Sequence, residues 1–240
     1  MTTSGPTTTT PVQIETGPAL GAALPGDRGL PAHPFGAVVF AHGSGSSRNS
    51  PRNRQVAGAL RAAGLATLLF DLLTPEEAAD RANVFDVPLL ADRVCAALHW
   101  IGHQPGMTGL PVGLFGASTG AAAALVAAAR MPDIARAVVS RGGRPDLAGT
   151  ALTQVHAPTL LVVGGEDHEV IDLNRTAFAG LNCIKALQIV PGATHLFEEP
   201  GTLDQVLALA QGWFTLHLKV PSDHGTLMKA TSCACSLPGT

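Results

Sequence analysis

Lysine is nearly absent from this chain. Only Lys185, Lys219 and Lys229 occur among 240 residues, and the arginines are scattered without forming a stripe. With a formal net charge of -3, the chain has no basic footprint for a phosphate backbone, so nucleic acid is not expected as a partner. A secretory signal is also not expected from this composition. Segment 1–11 is rich in Thr, without a basic start or an apolar block, and the first basic residue is Arg28. No apolar run is long enough to read as a membrane span. The longest uncharged stretch, 94–129, is interrupted by His99, His103, Gln104, Pro105 and Pro111. A cytoplasmic protein with no membrane partner is the expectation. The four cysteines suggest no metal site. Cys95 and Cys183 sit in apolar stretches and are expected as packed thiols. Cys233 and Cys235 stand in a polar tail without zinc-binding spacing.

What is present is apolar. Hydrophobic residues make up 46% of the chain and charged residues 14%, enough for a sizeable core in one α/β domain. Apolar runs of five to seven residues at 35–41, 65–70, 111–115, 134–139, 159–163 and 184–190 read as strands. Stretches with helical character at 51–63, 86–103, 121–129, 171–181 and 203–218 alternate with them. Ser50 followed by Pro51 is a helix-start signal. Continuous apolar strands imply burial on both faces, hence a mostly parallel sheet covered by helices. Two further strands are expected at 12–16 and 20–24, with a loop over 26–34. A disordered leader is expected over 1–11, the folded domain over 12–219 and a flexible tail over 220–240.

The chemistry centres on Gly116-Ala117-Ser118-Thr119-Gly120, between an apolar strand and an Ala-rich helix. A serine at the apex of a strand–turn–helix has its hydroxyl lifted off the sheet, and the flanking glycines allow the sharp turn and close packing. This is the G-x-S-x-G nucleophile elbow of serine hydrolases. In a doubly wound sheet, functional groups collect at the C-terminal ends of the strands. Two later loops of that kind hold suitable partners: Gly164-Gly165-Glu166-Asp167-His168-Glu169 and Pro191-Gly192-Ala193-Thr194-His195. His195 would take the Ser118 proton, and Asp167 would orient the imidazole. Glu166 and Glu169 compete for the acid role; Asp167 is preferred because it stands three residues past Gly164. Asp167 could also cap the following helix. The remaining histidines, His99, His103, His156 and His168, are read as surface or packing residues.

With these motifs in the order Ser118, Asp167, His195, and with Phe40-Ala41-His42-Gly43-Ser44-Gly45-Ser46-Ser47 upstream, the chain resembles the α/β-hydrolase superfamily. Within it, the chain is similar to the dienelactone-hydrolase-like small serine hydrolases over roughly 12–218. Dienelactone hydrolases proper carry cysteine at the elbow. Ser118 in its place favours ordinary ester or thioester cleavage. The resemblance implies a small-molecule ester substrate, an acyl-enzyme, water as second substrate and no cofactor or metal. It also implies an oxyanion hole from the backbone amides of Thr119 and Ser44, with Gly45 the next choice, and makes His42 a loop-shaping residue. Arg141, after the 134–139 strand, is either a clamp for a substrate carboxylate or phosphate or a solvated turn residue. Arg48, Arg52 and Arg54 are open to the same two readings. Only about twenty residues separate the strands at 134–139 and 159–163, enough for a short helix at 146–153 but no lid domain. An open site is expected, shaped by 72–83 and 141–146.

Overall fold

The computed structural model describes residues 8–17, 21 and 23–219. Eight strands form one sheet in the order β1-β2-β4-β3-β5-β6-β7-β8. They are β1 (Thr8–Ile14), β2 (Leu24–Leu30), β3 (Gly36–Ala41), β4 (Leu65–Phe70), β5 (Val112–Ala117), β6 (Ala135–Arg141), β7 (Thr159–Gly164) and β8 (Lys185–Val190). From β4 onward across the sheet all pairings are parallel, whereas β1 with β2 and β2 with β4 are antiparallel. Seven helices connect them: α1 (Pro51–Ala62), α2 (Pro75–Ala79), α3 (Arg81–Val84), α4 (Val87–Gly102), α5 (Thr119–Arg130), α6 (His168–Gly180) and α7 (Thr202–Leu218). A 3₁₀ segment, Pro145–Gln154, lies between β6 and β7. This is the α/β-hydrolase architecture, without a large lid.

The central strands are buried on both faces because their side chains alternate between two cores. Val39, Leu68, Leu114, Val138 and Leu161 pack with α4 and α5 on one face. Val38, Phe40, Leu69, Phe115, Val139 and Val162 pack on the other with Val56 and Leu60 of α1 and Val206, Ala210 and Phe214 of α7. Helix α5 lies flush against the sheet: Ala121, Ala122, Ala123 and Ala124 are all fully buried, and larger side chains would push it away. Helix starts follow sequence chemistry. Ser50 Oγ accepts from the Asn53 amide, Asp86 Oδ1 accepts from Leu89, and Thr74 with Glu77 makes a reciprocal capping box ahead of α2.

The N-terminal edge departs from expectation. The second early strand lies at Leu24–Leu30, where a loop was expected, and not at 20–24; residues 18–20 and 22 of that stretch lie outside the described residues. The run Leu-Pro-Gly-Asp-Arg-Gly-Leu contains turn formers and charges, so its own composition does not announce a strand. It is extended because β1 and β4 pair with it from either side. Strand β1 likewise starts at Thr8, inside the segment read as leader. The expected tail, with Cys233 and Cys235, lies outside the described residues. Cys95 and Cys183 are partly buried free thiols packed at the edge of the core, and burial raises the Cys95 pKa. Among the described residues no helix is long and apolar enough to cross a membrane.

Candidate active site

Ser118 stands between β5 and α5, at the N-cap position of α5, with φ 50° and ψ -124°, a conformation that L-residues seldom adopt. The backbone around it is over-determined. The Ser118 amide donates to Arg141 O at 3.4 Å, and Ser118 O accepts from the Ala121 and Arg144 amides at 3.1 and 3.0 Å. The two glycines of the elbow are required by close approach. A Cβ at Gly116 would lie 2.4 Å from Ala121 Cα, and one at Gly120 would lie 2.2 Å from Ala41 O. Both neighbours are main chain and have no rotamer by which to yield.

Asp167 occupies the N-cap position of α6 but makes no side-chain cap bond. Its Oδ2 instead accepts from His195 Nδ1 at 2.6 Å. The carboxylate also benefits from the helix N-terminus at which it stands. Glu166 and Glu169 are exposed, and neither bonds to His195. Behind His195, Thr194 is held to Glu199 through its amide and hydroxyl, at 3.1 and 2.6 Å, which steadies the loop after β8. Ser118 and His195 line one cavity of about 530 Å³. No hydrogen bond joins them, as is common at resting catalytic sites before substrate binds. His99, His103, His156 and His168 are all exposed.

The loop after β3 forms the opposite wall, and several contacts fix it. The Leu72 amide donates to His42 Nε2 at 3.0 Å, so that nitrogen must be unprotonated. His42 Nδ1 therefore carries the proton and donates to Gly43 O, also at 3.0 Å. Burial lowers the His42 pKa more than the Gly43 bond and Asp71 raise it. Arg48 donates its amide to Asp71 Oδ1 at 2.7 Å, and its guanidinium pairs with Asp71 as well. Arg48 thus brackets the loop after β3 to the residue that follows β4. Arg54 reaches Asp27 and Asn49 on the outside. The contacts of His42 with Leu72, Arg48 with Asp71 and Arg54 with Asp27 join residues 30, 23 and 27 positions apart, and no local motif announced them.

Neutral His42 gives the fold an acid sensitivity. Below its unfolded value of 6.5, the unfolded chain binds a proton that the folded chain refuses until the pH reaches the lowered value. Stability from this group is complete above pH 6.5 and declines as pH falls through that window. Urea midpoints are expected to decrease between pH 7 and about pH 5, with a shallower decrease in His42→Asn. Equal slopes would remove His42 as the cause.

The expected oxyanion donors fare differently. The Thr119 amide stands at the first turn of α5, beside Ser118. The Ser44 amide, however, donates to Thr119 Oγ1 at 3.0 Å, so it is already engaged and not the free donor expected from the sequence. That bond ties the β3 loop to the elbow. Gly45, at φ 67°, is exposed and follows immediately. On the far side of residues 43–47 lies a second cavity of about 480 Å³, with apolar walls from Leu72, Leu73, Ala78, Val84 and Leu90. Segment 72–83 therefore shapes this neighbouring cavity, while Arg141 and Gly142 shape the one holding Ser118.

Arg141 is not a solvated turn residue. It is the last residue of β6, only 7% exposed, and its Nε and Nη1 atoms are sealed from solvent with no hydrogen-bond partner. Its guanidinium lies 6.0 Å from the ring of buried Phe197, itself held at φ 56°. Burial, and secondarily the charge of Arg52, push its pKa down to about 10, so it remains charged at neutral pH. Among the described residues no cluster of His, Cys, Asp and Glu could hold a metal ion.

The model of the dienelactone hydrolase family matches residues 36–213. The chain belongs to this family. A crystal structure of a dienelactone hydrolase from Anabaena variabilis is 52% identical, covering 88% of this chain and 99% of that one, with a TM-score of 0.84. A dienelactone hydrolase-like promiscuous phosphotriesterase from metagenomic libraries, 19% identical, covers 89% of this chain and 99% of that one and shares the fold with a TM-score of 0.72. Two Mycobacterium tuberculosis proteins, each provisionally named a phosphoribosyl transferase, are 59% identical over 214 residues, 89% of this chain. The chain spans 48% of the length of those relatives.

Proposed function

We propose that this member of the dienelactone hydrolase family cleaves carboxylic esters through Ser118, His195 and Asp167. The observation that carries the reading is the 2.6 Å His195–Asp167 bond at the cavity that Ser118 also lines. With Nδ1 held by Asp167, His195 presents Nε2 as the proton acceptor. As Ser118 Oγ attacks the ester carbonyl, its proton passes to Nε2, and the carbonyl oxygen becomes an oxyanion. The Thr119 amide, with the Gly45 amide from the facing loop, stabilises it. Collapse of the tetrahedral species transfers the proton from His195 to the departing alkoxide and leaves an acyl-Ser118. Water then attacks with the same base, releasing the acid and restoring the serine. Each amide well aimed at the oxyanion is worth about 3–4 kcal/mol of transition-state stabilisation.

The same machinery would serve a thioesterase or an acyltransferase, which differ in leaving group and acceptor. The name dienelactone hydrolase on the Anabaena variabilis relative, a lactone being an ester, supports the ester reading. The phosphoribosyl transferase name belongs to proteins about twice as long. We assign that reaction to the half of those proteins that this chain does not span, because the matched half is the hydrolase domain. A fluorophosphonate probe tests the proposal: mass mapping is expected to place the adduct on Ser118. A folded protein that takes no label would mean a hydrolase-fold binding protein in place of an enzyme.

A further inference from the structure

Residues 43–47 form a thin strip between two cavities, lining both the one that holds Ser118 and the apolar one beside it. Ser44, Gly45 and Ser46 are exposed. The Ser46 amide donates to Gly43 O at 3.2 Å, and Gly45 has φ 67°, as the third residue of a type II turn requires. In such a turn the middle peptide stands across the plane of the turn, so the Gly45 N–H is aimed to one side. That amide has no partner among the described residues. The strip has little to hold it. Its bonds to His42, Asn49 and Ser50 are all local. One hydrogen bond leaves it for a distant part of the chain, from the Ser44 amide to Thr119 Oγ1 at 3.0 Å. Thr119 is the first residue of α5 and only 4% exposed, and it borders the apolar cavity while Ser118 borders the other. Gly43 meets the elbow by contact alone: a Cβ there would lie 2.8 Å from Ser118 Cβ. The turn therefore begins against the nucleophile, and the hydroxyl of the next residue along pins its following peptide.

From this we propose that the Thr119 hydroxyl is a positioning group: by holding the Ser44 amide it keeps the turn in the form that presents the Gly45 amide to the ester oxygen over Ser118. This role rests on the hydrolase reading and adds to it a side chain outside the triad. Thr119 then governs both oxyanion donors, one through its own amide and the other through its side chain. A donor already fixed when charge develops on the oxygen has no reorganisation left to undergo. Without the tether, the exposed turn is free to rotate its middle peptide, and the second donor loses its aim. The ground-state carbonyl, which carries little charge, is affected much less than the oxyanion.

Thr119→Val removes the acceptor and keeps the branched shape. With p-nitrophenyl acetate, kcat is expected to fall about 10- to 100-fold, with KM within about twofold of wild type. Affinity for a trifluoromethyl ketone should fall by the same factor as kcat. That inhibitor takes the Ser118 Oγ on its carbonyl carbon while the serine proton passes to His195, so its oxygen becomes an oxyanion without a leaving group to follow. A merely structural defect would not single out this adduct. Thr119→Ser, which restores the acceptor, should return both values to within about threefold of wild type. In Ser44→Pro the donor is already gone and proline suits the second position of the turn, so adding Thr119→Val should cost no more than about a further twofold. If Thr119→Val fails to fold, Gly45→Ala takes its place. Its methyl has open space but its backbone is strained at φ 67°, so the same amide should turn and the same selective loss appear. Wild-type kcat and inhibitor affinity in a folded Thr119→Val or Gly45→Ala, or a full loss that persists in the Ser44→Pro background, would overturn the role of Thr119 and leave the hydrolase reading standing. A folded wild type that takes neither fluorophosphonate nor trifluoromethyl ketone would sink both.

Discussion

Ser118→Ala is expected to lower ester turnover by a factor on the order of 10⁵–10⁶, to what the remaining site can supply by binding and oxyanion stabilisation alone. The size follows from the chemistry: no other hydroxyl shares the elbow apex with His195 beside it, so the covalent route is lost and not merely slowed. Stability should change by less than about 0.5 kcal/mol. The serine hydroxyl has no hydrogen bond to lose, and alanine inherits the same φ of 50° without relief or added strain. A denaturation midpoint equal to wild type, together with lost turnover, separates a chemical defect from a folding defect. Substantial turnover in a folded variant would mean that the nucleophile is another group.

Asp167→Asn is expected to lower kcat by on the order of 10⁴, as the equivalent change does in serine proteases. The bond at stake is the 2.6 Å contact with His195 Nδ1. A carboxylate can only accept there, so Nδ1 carries the proton and Nε2 is free to act as base. An asparagine amide can donate to Nδ1, which favours the tautomer protonated at Nε2 and blocks proton transfer from Ser118. The imidazolium of the transition state also loses its counter-charge. The discriminating control is the pair Glu166→Gln and Glu169→Gln, which remove the two neighbouring carboxylates. Both are exposed and unbonded to His195, so each variant should retain turnover near wild type. A large loss in either one, with Asp167→Asn active, would reassign the acid.

Much of the architecture was legible because it is written locally. Strands β3, β4, β5 and β7 are nearly continuous apolar runs, and β6 is interrupted at its start by exposed Arg136; a parallel sheet covered on both faces buries such runs. Ser50 and Pro51 marked the start of α1. The convergence of Ser118, Asp167 and His195 could be anticipated because strand ends in this topology face one crevice and the three loops are short. Strand β2 could not be, since its extended form comes from its partners and not from its composition. The same holds for contacts between loops. The bond from the Ser44 amide to Thr119 Oγ1 crosses 75 positions, and that from Leu72 to His42 crosses 30. No periodicity encodes such pairings. The isolation of Arg141 was equally hidden, because a sequence shows the presence of a charge but not the absence of its counter-ion.

The apolar cavity beside the elbow has one wall of a different kind from the rest. Segment 74–84, which carries α2 and α3, buries none of its helical residues, although Ala78 and Val84 face the cavity. The elbow helix is the opposite case, four consecutive alanines with no spare volume. Substitutions in α5 are therefore policed by folding stability, whereas those in 74–84 are less so, apart from Thr74 and Glu77, which cap α2; Glu77 also pairs with buried Arg93. Replacing the exposed residues of this outer wall is therefore expected to reshape the cavity at little cost in stability. A library meant to alter that cavity belongs in segment 74–84, with Thr74 and Glu77 kept.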